Sequence, residues 1–146
     1  MEVMINSLQV VVNNMLKITH DDFSIDEIVQ KIKTEENGAI VSFNGIVRGK
    51  SNGKNVERFE IQPSEEAALS QMQKIRAETL QKFKVNHIAI IQRIGSLKVS
   101  ENILLIVVGA PHRYEAFKAC RHILERMKRM VKTWEKEICT SENQVD

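Results

Sequence analysis

Three places in the chain carry side chains suited to work on an anionic ligand: Arg48, the pair His112-Arg113, and Lys128. Arg48 closes a β-branched run just after Gly45, and a guanidinium there offers planar, two-pronged anion binding. His112 and Arg113 follow the turn Gly109-Ala-Pro, where an apolar run, Ile103 to Val108, ends and a helical pattern begins. A helix start with an imidazole and a guanidinium suits a phosphate. Lys128 adjoins Met127 on the apolar stripe of that helix, so its amine lies between pocket and solvent, among the cations Arg129 and Lys132, as acid–base work requires. Each residue also has a plainer reading: an edge-strand charge for Arg48, a snorkelling lysine for Lys128, and a solvated basic face for the helix.

Charge is concentrated in one segment. Between His112 and Lys136 stand four Lys and four Arg against three Glu, a net +5 in a chain whose total is +2. A nucleic-acid module built on this helix would want aromatic platforms for bases, and the chain has one Tyr and one Trp. Nucleic acid is therefore not an expected partner. Gly49-Lys50-Ser51 resembles the end of a phosphate-binding loop, but Asn44 stands where that motif needs Gly, and Asn52-Gly53 follows as a turn. Cys120, Cys139, His112 and His122 have no zinc spacing, and neither a metal nor a cofactor is expected. Cys120 falls on an apolar stripe, where a buried thiol is inert, which argues against a nucleophilic role. Two cysteines without a framework, and no apolar run long enough to span a membrane, point to a soluble cytoplasmic protein.

The elements that must position these residues follow from periodicity. An N-terminal extension, residues 1–14, precedes a single domain over 15–140, and a polar tail occupies 141–146. Met15 to Thr19 reads as a strand. Ser24 with Glu27 forms a capping-box signature before Ile25, Ile28, Val29 and Ile32, a helix that should reach about Thr34. Ala39 to Arg48 is a buried strand whose Gly45 marks a bulge, Gly49 to Asn55 a turn or loop, and Val56 to Gln62 a strand. A second helix opens at Pro63-Ser-Glu-Glu66, with Leu69, Met72, Ile75, Arg76, Thr79, Leu80 and Phe83 as its stripe. His87 to Ile94 is a strand, Gly95 to Asn102 a connection, and Ile103 to Val108 a strand. The last helix carries Phe117, Cys120, Leu124, Met127, Val131 and Trp134 on its inner face. Without regular βα alternation the expected class is α+β, a mixed, largely antiparallel sheet packed with helices.

Four motifs in this order resemble the large catalytic subunit of molybdopterin synthase: Asn37-Gly-Ala-Ile-Val-Ser-Phe-Asn-Gly-Ile-Val-Arg48, Gln92-Arg-Ile-Gly-Ser-Leu97, Ala110-Pro-His-Arg113 leading into Ala116-Phe117, and Met127-Lys128 with Trp134 beyond. The resemblance spans roughly residues 15 to 137. It implies a hammerhead-like fold and a sulfur-insertion reaction in molybdenum cofactor biosynthesis. A cyclic pyranopterin monophosphate would become a dithiolene, with sulfur from the thiocarboxylated C-terminal Gly-Gly of a small ubiquitin-like subunit. It implies further a homodimer of large subunits within a heterotetramer, and a pocket shared across the dimer.

The same resemblance assigns substrate contact to Ile46, Val47, Arg48, His112 and Arg113, and both binding and catalysis to Lys128. A second functional lysine of the family directly follows the Trp, where this chain has Glu135. Lys136, one residue later, is the expected substitute in binding and catalysis, with Lys132 as another. A proline that the family often places shortly before the Trp is also missing here. Glu135 leaves open a non-catalytic paralogue that binds the small subunit or pterin without turnover. No cysteine lies in any motif, as expected if sulfur arrives on a partner.

Overall fold

The computed structural model describes residues 15–140; the N-terminal extension and the polar tail lie outside the described residues. Among the described residues eight strands and three helices alternate irregularly: β1 Leu16–Thr19, α1 Ile25–Ile32, β2 Ala39–Ile46, β3 Lys50–Ser51, β4 Lys54–Ile61, α2 Glu65–Lys82, β5 His87–Arg93, β6 Gly95–Lys98, β7 Asn102–Ala110, α3 Arg113–Val131 and β8 Glu135–Cys139. A main sheet has the order β1-β5-β7-β2. Its β1–β5 pair is parallel and the others antiparallel. A smaller antiparallel sheet is built on β4, which pairs with β3, β6 and β8. The class is α+β, as the pattern of elements indicates.

The two central strands explain the main sheet's layers. β5 and β7 are buried at nearly every position, so both of their faces are covered. Ile88, Ile90, Leu104, Ile106 and Val108 pack with Met72 and Ile75 of α2 and Ala116, Ala119, Cys120, Ile123 and Met127 of α3. Ala89, Ile91, Leu105 and Val107 pack instead with Ile28 and Ile32 of α1. A third cluster, Val47, Val56, Ile61, Ile94, Leu97 and Val131, joins the small sheet to the end of α3.

Local signals behave largely as their chemistry dictates. Ser24 caps α1 by accepting from the Glu27 N–H at 3.2 Å. The β2–β7 register shifts between Gly45 and Ile46, so the strand glycine does mark a bulge. Thr79, a polar member of the α2 stripe, is wholly buried because its hydroxyl donates to the Ile75 carbonyl at 2.6 Å.

Three expectations are corrected. The connection Gly95 to Asn102 contains β6, paired with β4. The last helix stops at Val131; Trp134 continues its spacing but packs in the third cluster, and the chain then turns into β8. Leu69 and Phe117, assigned to inner stripes, are 37% and 63% exposed, because Ala68 and Ala116 occupy the buried positions beside them.

Candidate active site

Arg48 and Lys128 are separated by eighty positions in sequence and line one cleft of about 320 Å³. Ile46, Val47, Phe59, Ile103, Glu135 and Glu137 complete its wall. β2 and its bulge deliver the first arm. Ile46 is 53% exposed and Val47 only 3%, so Val47 anchors the segment in the third cluster while Ile46 and Arg48 on either side stay accessible. The last turns of α3 deliver the second arm: Met127 is fully buried, and Lys128 beside it is exposed towards the cleft. β8 forms the floor opposite them.

β8 also decides the fate of the expected second lysine. Glu135 and Glu137 line the cleft, and alternation along a strand turns Lys136 between them to the other face. Lys136 stands opposite Glu60 in the β4–β8 register and is not among the residues lining the cleft. Lys132 is the exposed C-cap of α3 and does not line it either. Phe59, Ile103, Glu135 and Glu137 are lining residues that motif reasoning left out. Glu135-Lys-Glu-Ile138 has three charged residues in succession and no period-2 alternation, so no local pattern announced a strand there.

The cleft's formal charge is balanced, two cations against two carboxylates. Glu137 accepts from the Ser51 hydroxyl at 2.7 Å and lies 4.0 Å from Arg48 Nε. The Arg48 side chain is 74% exposed, so this ion pair contributes about 0–1 kcal/mol and leaves the guanidinium available.

His112 and Arg113 lie elsewhere. His112 is the N-cap of α3, in extended conformation with no side-chain cap bond, and Arg113 is the first helical residue. Both are exposed. Fifteen residues at a rise of 1.5 Å put Arg113 about 22 Å from Lys128 along the helix axis. Within one chain the structure joins Ile46, Val47, Arg48 and Lys128, and holds His112 and Arg113 at the opposite end of α3.

The cysteines stand apart from this chemistry. Both are free, and burial pushes the Cys120 thiol up to about 11, which makes it a poor nucleophile at neutral pH. Among the described residues no helix is long and apolar enough to cross a membrane.

Comparison with known proteins places this geometry. The MoaE protein family matches residues 18–130, most of the folded domain. The chain belongs to the MoaE family. It is 39% identical over 118 residues to the molybdopterin synthase catalytic subunit of Pyrococcus abyssi, covering 81% of this chain and 80% of that one. Identity to the Bacillus subtilis molybdopterin synthase catalytic subunit is 37% over 122 residues, covering 84% and 78%. A crystal structure of molybdopterin synthase from Staphylococcus aureus superposes with a TM-score of 0.80 at 30% identity, over 86% of this chain and 92% of that one. MoaE proteins of this kind act in molybdenum cofactor biosynthesis, and this chain is an enzyme of that class.

Proposed function

We propose that the chain catalyses sulfur insertion into a cyclic pyranopterin monophosphate, giving dithiolene molybdopterin. The sulfur comes from the thiocarboxylated C-terminus of a small ubiquitin-like subunit. The observation that carries this reading is the meeting of Arg48 and Lys128 at one cleft, walled by Ile46, Val47, Phe59 and Ile103. Arg48 holds the substrate's anionic group through its guanidinium fork. The apolar wall receives the flat ring system and excludes water around it. Lys128 sits where it can steady negative charge and move a proton as the thiocarboxylate sulfur bonds a substrate carbon. An oxygen substituent departs, and water cleaves the acyl–sulfur bond to leave the small subunit as a carboxylate. Holding two reactants in register supplies the rest of the acceleration.

His112 and Arg113 enter this scheme from a second copy. They are too far along α3 to reach the cleft of their own chain, and their exposed helix N-terminus is an anion site awaiting a partner surface. A homodimer of large subunits, with one small subunit on each, gives a heterotetramer with two composite sites. The free cysteines and the lack of a membrane-spanning helix among the described residues support a cytoplasmic setting.

The test is product formation from the purified chain, a thiocarboxylated small subunit and cyclic pyranopterin monophosphate. Wild type should form dithiolene, and Lys128→Ala should lose roughly a hundred-fold or more in rate with an unchanged melting temperature. Near wild-type turnover in Lys128→Ala removes that residue from the chemistry. No product from wild type with the small subunit bound identifies a non-catalytic paralogue.

A further inference from the structure

The segment Gln92-Arg93 takes no part in the reaction described above, yet both side chains are buried. Arg93 is 8% exposed at its side chain, an expensive place for a guanidinium unless its bonds accomplish something specific. Two of its three bonds go to the turn that leads into β7, and the third goes to the chain just after β1. Nη1 donates to Glu101 Oε2 at 3.2 Å and to the Asn102 carbonyl at 3.1 Å, and Nη2 donates to the His20 carbonyl at 3.0 Å. Gln92 adds a bond from Nε2 to the Ile103 carbonyl at 3.4 Å, and Ile103 is itself a wall of the cleft.

That turn grips the residue next to Arg48. The Val47 N–H donates to the Glu101 carbonyl at 3.0 Å, and the Ser100 N–H donates to the Val47 carbonyl at 2.8 Å. Both bonds lie beyond the register shift between Gly45 and Ile46, where the regular β2–β7 ladder has ended. The position of Arg48 is therefore set by the 100–101 turn. Glu101 shapes the turn, since its second oxygen accepts from the Lys98 N–H at 3.0 Å and Ser100 is held at a φ of 75°. We propose that Arg93 is a positioning residue for Arg48, acting through Glu101 and the Val47 backbone. This rests on the reading of Arg48 as the substrate's anion-binding group.

A merely structural arginine would lower stability and the fraction of active enzyme without changing substrate affinity in the folded fraction. The experiment is steady-state kinetics with the thiocarboxylated small subunit and varied pterin, on Arg93→Lys and Glu101→Gln, each alone and in an Arg48→Ala background. Melting temperatures are taken alongside. Glu101→Gln keeps the side chain's shape and carries the test if Arg93→Lys does not fold. The expected result is a KM for pterin raised roughly ten-fold with kcat little changed, and no further rise when Arg48 is already alanine. A wild-type KM in the folded variants, or the same rise on top of Arg48→Ala, overturns the inference while leaving the site intact. A wild-type KM in Arg48→Ala itself overturns both the inference and the site reading on which it rests.

Discussion

If the cleft holds a phosphate as proposed, Glu135 bears on how firmly it does so. With Glu137 it offsets the two cations, so an incoming anion meets no net positive charge. Replacing Glu135 by Gln removes one repulsive partner at an accessible site, worth about 1 kcal/mol, or roughly a five-fold fall in KM for the pterin phosphate. The gain should shrink as salt is raised, because exposed charges are screened; a salt-independent change would assign the effect to packing instead. Lys136 makes the converse case. Facing away from the cleft on β8, it should tolerate Lys136→Ala with near wild-type turnover, and a loss comparable to that of Lys128→Ala would show that the lysine reaches substrate from the far face of the strand. Arg48 and Lys128 were candidates by type and neighbourhood, but it was the family motifs that separated them from a plain edge charge and a snorkelling lysine. The carboxylates facing them could not, because their side of the chain depends on whether residues 135–139 are helix or strand.

At the scale of elements, the turn from β7 into α3 is set by a close backbone approach. Gly38 donates its N–H to the Ala110 carbonyl at 2.9 Å, and a Cβ on Gly38 would run into the Pro111 carbonyl oxygen. Gly38→Ala must displace the turn that carries His112, at a cost of about 1–3 kcal/mol measured by the denaturant midpoint. A second prediction concerns acid. The Asn102 side-chain amide, and after it the Phe23 N–H, hold the Asp22 carboxyl below the usual carboxylate range. A lowered folded-state value means stability that is present above about pH 4 and lost as pH falls through the folded value. Asp22→Asn should flatten the acid limb of a stability–pH curve, and an unchanged limb would show that the bond contributes nothing. These elements were legible to different degrees for a physical reason. α1, β2, β5, β7 and most of α3 announce themselves because cap, bulge and periodicity are local. β6 and β8 are short strands whose existence depends on pairing with β4, a distant partner. Trp134 extended the α3 stripe in spacing alone, because its ring fills a different cluster.

At the scale of the whole molecule, the length of α3 is what the proposed two-chain site rests on. His112 and Arg113 at its start and Lys128 near its end lie about 22 Å apart along the helix, further than one pterin phosphate can bridge. If the second copy supplies His112 and Arg113 to the cleft holding Arg48 and Lys128, defects at the two ends of α3 fall in different halves of each site. Arg113→Ala and Lys128→Ala should each be nearly inactive as homodimers. Unfolding and refolding the two variants together gives mixed dimers as half of the population. Each mixed dimer then has one site with both defects and one with neither, so about a quarter of wild-type activity should return. The separately refolded variants, mixed afterwards without exchange, should stay inactive. Failure to recover activity in verified mixed dimers would place all the essential groups on one chain and leave the exposed start of α3 free for another purpose. Recovery would explain why a catalytic cleft of only about 320 Å³ needs no basic wall beyond Arg48 and Lys128 in its own chain: the remaining positive charge arrives with the partner.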